Sequence, residues 1–167
     1  MIPRFLDTAY TLMFSMTHTY ASARVLHLSI FLSSILVVAS FIKDRINLFS
    51  GIVFCFLGLY LTPEILESST MGYVDSGTAG FLILTFVSAA HFIDNQKISN
   101  WIPIVIFSAF SVASKYTSLG FVGAIYIVLF IYLIVKFYKL KINIINYLIK
   151  NKKDILKFGL ISLISFI

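Results

Sequence analysis

The stretch 24-RVLHLSIFLSSILVVASFI-42 decides the fold. It carries no charge after Arg24 and stops at Lys43-Asp44-Arg45. A helix needs about 20 consecutive, mostly apolar residues to cross the hydrocarbon core of a bilayer, and this run supplies them. Four more runs of the same character follow: 47-NLFSGIVFCFLGLYLTPEIL-66, 78-TAGFLILTFVSAAHFI-93, 101-WIPIVIFSAFSVA-113 and 119-LGFVGAIYIVLFIYLIV-135. A sixth, 158-FGLISLISFI-167, begins at the end of the sequence and is too short to span, so the chain is expected to be incomplete.

The expectation is an all-α, multi-pass transmembrane bundle in a cell membrane. It has about five full spans plus the start of a sixth, with interfacial helices. Composition agrees. The 167 residues are 59% hydrophobic and 12% charged, about half the charged share of a soluble domain. Residues 1–23 are semi-polar and aromatic and read as an interfacial segment; residues 24–135 form the transmembrane region. No cleavable signal peptide is visible, because the first apolar run is long and follows mixed residues. Lone Cys55 lies within an apolar run and reads as packing.

The net charge of +6 is concentrated at one end. Lys136, Lys139, Lys141, Lys150, Lys152, Lys153 and Lys157 are opposed only by Asp154, while the remaining acids and bases cancel. Such a segment reads as cytoplasmic and membrane-proximal, not as a nucleic-acid surface. Within it, Ile144, Ile145, Leu148, Ile149, Ile155 and Leu156 share one helical face, broken by Lys152. This pattern predicts an amphipathic surface helix in 136–157.

Counting spans back from that anchor puts residues 67–77 and 114–118 outside and Lys43-Asp44-Arg45 inside. Asp75, in 72-GYVDSGTAG-80, and Lys115, in 114-SKYTS-118, then share the extracytoplasmic face. Arg24 and His27, spaced i, i+3 at the outer end of the first span, join them. Each has an ordinary role available. Asp75 caps a helix starting near Ser76–Thr78, Lys115 snorkels, Arg24 anchors the interface, and His27 packs between helices. Glu64 and Glu67 follow Thr62-Pro63, a helix-restart pattern, as first-turn dipole partners. His18 and His91 have no partner at metal-ligand spacing. No HExxH, CxxC, GxGxxG or GxSxG pattern occurs, which leaves zinc proteases, dithiol redox proteins, dinucleotide folds and serine hydrolases without support.

Three patterns in order resemble the GT-C class of integral-membrane glycosyltransferases, of the protein mannosyltransferase and aminoarabinose transferase kind. They are "ASARVLHLSIFLSSIL", "LTPEILESSTMGYVDSGTAGFLIL" and "FSVASKYTSLGF", within residues 1–135. The resemblance implies a polyprenyl-phosphate-linked sugar as donor and a lipid, glycan or protein acceptor, with no nucleic acid. It implies Asp75 as the second-loop carboxylate and Lys115, with Arg24, as donor-phosphate ligands. No metal site follows, although a divalent cation is compatible with the chemistry. The family's principal carboxylate, in the first external loop after a preceding helix, has no counterpart here; Asp7 falls beyond that motif. This makes the chain a fragment expected to be inactive alone. The other class open to the sequence is a non-enzymatic membrane protein, a lipid-handling or transporter subunit. A transporter would place its polar groups at mid-membrane, whereas these gather at one face.

Overall fold

The computed structural model describes residues 5–60, 74–95 and 100–139, together with Lys152 and Leu156. Among the described residues every element is a helix: α1 (Phe5–Thr17), α2 (Tyr20–Arg45), α3 (Leu48–Tyr60), α4 (Val74–Asn95), α5 (Trp101–Ser114) and α6 (Ser118–Lys139). Three contain segments long and apolar enough to cross a membrane, namely Tyr20–Arg45, Gly77–Asn95 and Ser118–Lys139. The other two expected spans are shorter over their described residues. The described lengths of α3 and α5 are 13 and 14 residues. At 1.5 Å per residue each covers about 20 Å, against a core of about 30 Å.

Polarity is distributed as a lipid surround demands. The outer faces carry Val25, Leu36, Phe86, Phe121, Ile127 and Phe130, all well exposed, while the interior holds His27, Ser34, Thr78, Thr85, Ser108, Ser111, Ser114 and Ser118. A helix apolar on all sides belongs in lipid or in a large core. Small and hydroxylated residues are what let membrane helices approach one another. Most of these hydroxyls are satisfied within their own helix. Ser34 donates to the Phe31 carbonyl at 2.7 Å, Thr85 to Phe81 at 2.8 Å and Ser114 to Phe110 at 2.6 Å.

The helices alternate in direction. His27 meets Gly77, Ile30 meets Gly80 and Phe41 meets His91, so α2 and α4 run parallel with a constant register. Phe81 packs on Phe110 and Phe92 on Trp101, which makes α5 antiparallel to α4. Ser108 bonds Tyr126, and Tyr132 donates to the Ile93 carbonyl, so α6 runs back alongside α4. α3 descends along α2, where a Cβ on Gly51 would lie 2.7 Å from the Ala39 carbonyl oxygen. Asn47 caps it, its side-chain oxygen taking the Ser50 amide at 2.8 Å.

Two boundaries differ from the sequence reading. The first span begins at Tyr20, so Arg24 stands a turn inside the helix and not at its start. Residues 5–17 are helical and partly built into the bundle: Leu6 is fully buried with Phe81 and Leu84. The turn between α1 and α2 is made by His18, whose φ of 55° is left-handed and whose amide bonds the Phe14 carbonyl at 2.7 Å. That is the geometry of a helix C-terminal αL cap. The helix restart at Thr62-Pro63 with Glu64 and Glu67, most of the loop 67–77, the amphipathic helix in 136–157 beyond Lys139 and the segment 158–167 lie outside the described residues. Of the amphipathic stretch, Lys152 and Leu156 are both helical and exposed.

Candidate functional site

The starts of α2, α4 and α6 and the end of α5 meet at one end of the bundle, and α1 is packed against that end. Phe5 stacks on Phe110 with centroids 4.6 Å apart and meets the Phe81 edge at 6.3 Å. Leu6 fills the space beside Gly77, where an added Cβ would lie 2.8 Å from Leu6 Cδ1. Tyr10 reaches His27, its hydroxyl lying against both ring nitrogens and 2.8 Å from Nε2.

The imidazole also accepts the Gly77 amide at Nε2, at 3.0 Å. Because Nε2 is an acceptor there, the ring proton belongs on Nδ1, facing the Tyr10 oxygen; this tautomer follows from the hydrogen-bond network. His27 is fully buried and ties three helices together. It is the helix-packing histidine expected from its position, although its partners are an amide and a hydroxyl. Burial, and secondarily the Asp7 carboxylate, push the Tyr10 phenol well above its ordinary range.

The three sequence candidates fall around this knot. In the parallel register of α2 and α4, Arg24 stands level with Val74–Asp75, one turn beyond the His27–Gly77 bond. Carrying the antiparallel register of Phe81 with Phe110 less than two turns further brings Asp75 level with Lys115–Tyr116. Arg24, Asp75 and Lys115 therefore lie toward the same end of the bundle, on α2, on α4 and just after α5, with α4 packed against both other helices. Arg24 is exposed and Lys115 half-buried.

Asp75 is part of α4 itself, because the helix already includes Val74; it does not precede a helix starting at Ser76–Thr78. Lys115 ends α5 in an extended conformation, its amide bonded to the Ser111 carbonyl at 3.1 Å. Its own carbonyl receives the Ser118 amide at 3.0 Å and the Ser118 hydroxyl at 2.7 Å. These bonds fix the turn that carries the lysine.

Sequence reasoning did not find Tyr10, Leu6 or Gly77. Tyr10 and His27 are 17 residues apart, at no diagnostic spacing. The available signal was the pair of glycines at 77 and 80, which mark a close backbone approach. Among the described residues no three His, Cys, Asp or Glu side chains gather as a metal ion would require.

The opposite end carries the basic residues. Lys43 and Arg45 end α2, and Lys136 and Lys139 end α6. There Arg45 pairs with Asp94, and its guanidinium lies 4.1 Å from the Phe41 ring centroid. The chain matches no protein-family model, no curated protein and no solved structure.

Proposed function

We propose that this chain acts within a membrane on a lipid-linked, phosphate-bearing substrate at the α1-covered end of its bundle, in the manner of the polyprenyl-phosphate-dependent glycosyltransferases it resembles. The observation that carries the reading is that Arg24, Asp75 and Lys115 lie toward the same end of the bundle, around α4. Lys115 and Arg24 have the charge needed to hold a phosphate headgroup, lysine as a compact point charge and arginine as a fork. In sugar transfer the bond from the anomeric carbon to the phosphate oxygen breaks. A bond from that carbon to the acceptor hydroxyl forms, and the hydroxyl proton leaves. Asp75 has the right chemistry to orient or deprotonate that hydroxyl, and cations beside the departing phosphate count most where water is scarce.

Orientation follows from the charge at the other end. The ends of α2 and α6 together hold Lys43, Arg45, Lys136 and Lys139, and basic termini favour the cytoplasmic side. The Asp75 level is then extracytoplasmic, where lipid-linked sugars are used by the family resembled.

The test is binding of a polyprenyl phosphate to the full chain in nanodiscs, followed by transfer from the corresponding lipid-linked sugar. Lys115→Ala and Arg24→Ala should each weaken lipid binding, while Asp75→Asn should leave binding intact and abolish transfer. Unchanged binding in both cation variants sinks the proposal. Binding without transfer by the wild type selects the non-enzymatic lipid-handling reading instead.

A further inference from the structure

A groove of about 280 Å³ runs between α2 and α3 at the end of the bundle away from Asp75. Leu36, Ala39, Ile52 and Cys55 line its apolar length, and Lys43 stands at its mouth. Gly51 forms part of its floor: with no side chain there, α3 packs directly on the Ala39 carbonyl.

The mouth carries an uncompensated cation. Arg45 is committed to Asp94, whereas Lys43 is exposed and makes no ion pair among the described residues. Asp44 is not part of the lining. The N-terminus of α3 opens at the same point, and its macrodipole adds positive potential. From Lys43 to Leu36 the groove extends for two helical turns, about 10 Å. Its lining is apolar apart from Ser40 and Lys43, which suits a stretch of hydrocarbon chain beside one phosphate.

We infer that this groove binds one acyl chain of an anionic phospholipid, whose phosphate pairs with Lys43. The site lies at the basic end of the bundle and is separate from the Asp75 level, so its fate does not depend on the glycosyltransferase reading.

Cys55, the only cysteine in the chain, sits half-buried in the groove and reports on its occupancy. The experiment measures N-ethylmaleimide modification of Cys55 by intact mass, using the full chain in a non-ionic detergent with added phosphatidylglycerol or phosphatidylcholine. Phosphatidylglycerol should slow the modification several-fold and act at concentrations about fivefold below phosphatidylcholine, the advantage expected from one basic residue. Lys43→Gln should erase that preference, and Ser40→Trp, which fills the groove from an exposed position, should slow the modification with no lipid present. Equal protection by both lipids, no protection by either, or full reactivity of Cys55 in the Ser40→Trp protein overturns the inference. So does lipid-independent protection that rises with protein concentration, which would assign the groove to a second copy of the chain.

Discussion

The backbone amide of Gly77 donates to Nε2 of His27 at 3.0 Å, joining the starts of α2 and α4. The contact exists because residue 77 has no side chain: a Cβ there would lie 2.7 Å from Nε2 and 2.8 Å from Leu6 Cδ1. Gly77→Ala therefore separates α1, α2 and α4 at once. The expected cost is about 2 kcal/mol, in the range for overpacking, read from thermal unfolding in detergent. Gly80→Ala meets the Ile30 Cγ2 methyl at 2.9 Å, held by a β-branched side chain that is stiff at χ1, and should cost a similar amount. Gly123→Ala has nothing within 4 Å and should be neutral or stabilising by up to about 1 kcal/mol through helix propensity. A Gly77 variant as stable as the Gly123 variant contradicts this packing.

Tyr10 supplies the other half of the knot. Tyr10→Phe keeps the ring and removes only the hydroxyl, so it should cost about 1 kcal/mol and loosen α1, visible as faster hydrogen exchange in residues 5–17. The pH dependence has a defined sign. Burial raises the Tyr10 phenol above its ordinary value in the folded chain, with Asp7 adding to the effect. Its stabilising contribution is then complete below about pH 10, the value in the unfolded chain, and is lost progressively as pH rises further. The stability gap between wild type and Tyr10→Phe should stay constant from pH 7 to 9 and narrow above pH 10. A gap that widens there is incompatible with a buried, neutral phenol.

Ser111 and Ser108 are both fully buried on α5, yet they differ in partners. Ser108 donates to the Val105 carbonyl at 2.9 Å and meets the Tyr126 hydroxyl at 3.1 Å. The Ser111 hydroxyl finds no hydrogen-bond partner among the described residues. An unmade buried hydrogen bond costs about 1–3 kcal/mol. Ser111→Ala should therefore stabilise the chain by about 1 kcal/mol, whereas Ser108→Ala should destabilise it by about the same amount. Equal losses in the two variants would mean that Ser111 is bonded after all.

The apolar runs made the helices legible, because a run such as 119–135 has no alternative to being a helix in lipid. Their alternation also placed Arg24, Asp75 and Lys115 at one end by counting alone. What the runs did not carry is register. The level shared by Arg24 and Asp75 is set by Gly77 and Gly80 seating on His27 and Ile30, contacts about 50 residues apart in the chain. α1 was hidden for the same reason. Its sequence is semi-polar, and only the tertiary contacts of Phe5, Leu6 and Tyr10 show why it packs into the bundle. Helix length is likewise not carried by the runs: 101–113 is apolar enough for a membrane, and its helix covers Trp101–Ser114.

The turn between α1 and α2 offers a last prediction, independent of the knot it supports. His18 adopts a φ of 55°, a conformation that costs a residue with a Cβ about 1–2 kcal/mol. Glycine bears no such cost, although it loses about 0.5–1 kcal/mol more entropy on folding. The balance favours His18→Gly by up to about 1 kcal/mol. The backbone bond from residue 18 to the Phe14 carbonyl stays in place, as do the Thr17–Ser22 hydroxyl contact at 2.8 Å and the Phe14–Tyr20 stack at 4.7 Å. His18→Ala keeps the Cβ and forces the same left-handed backbone without the imidazole, so it separates backbone strain from any side-chain role. Thermal unfolding should rank glycine above histidine and place alanine no higher than histidine. An alanine variant as stable as the glycine one would show that the turn does not depend on a left-handed residue.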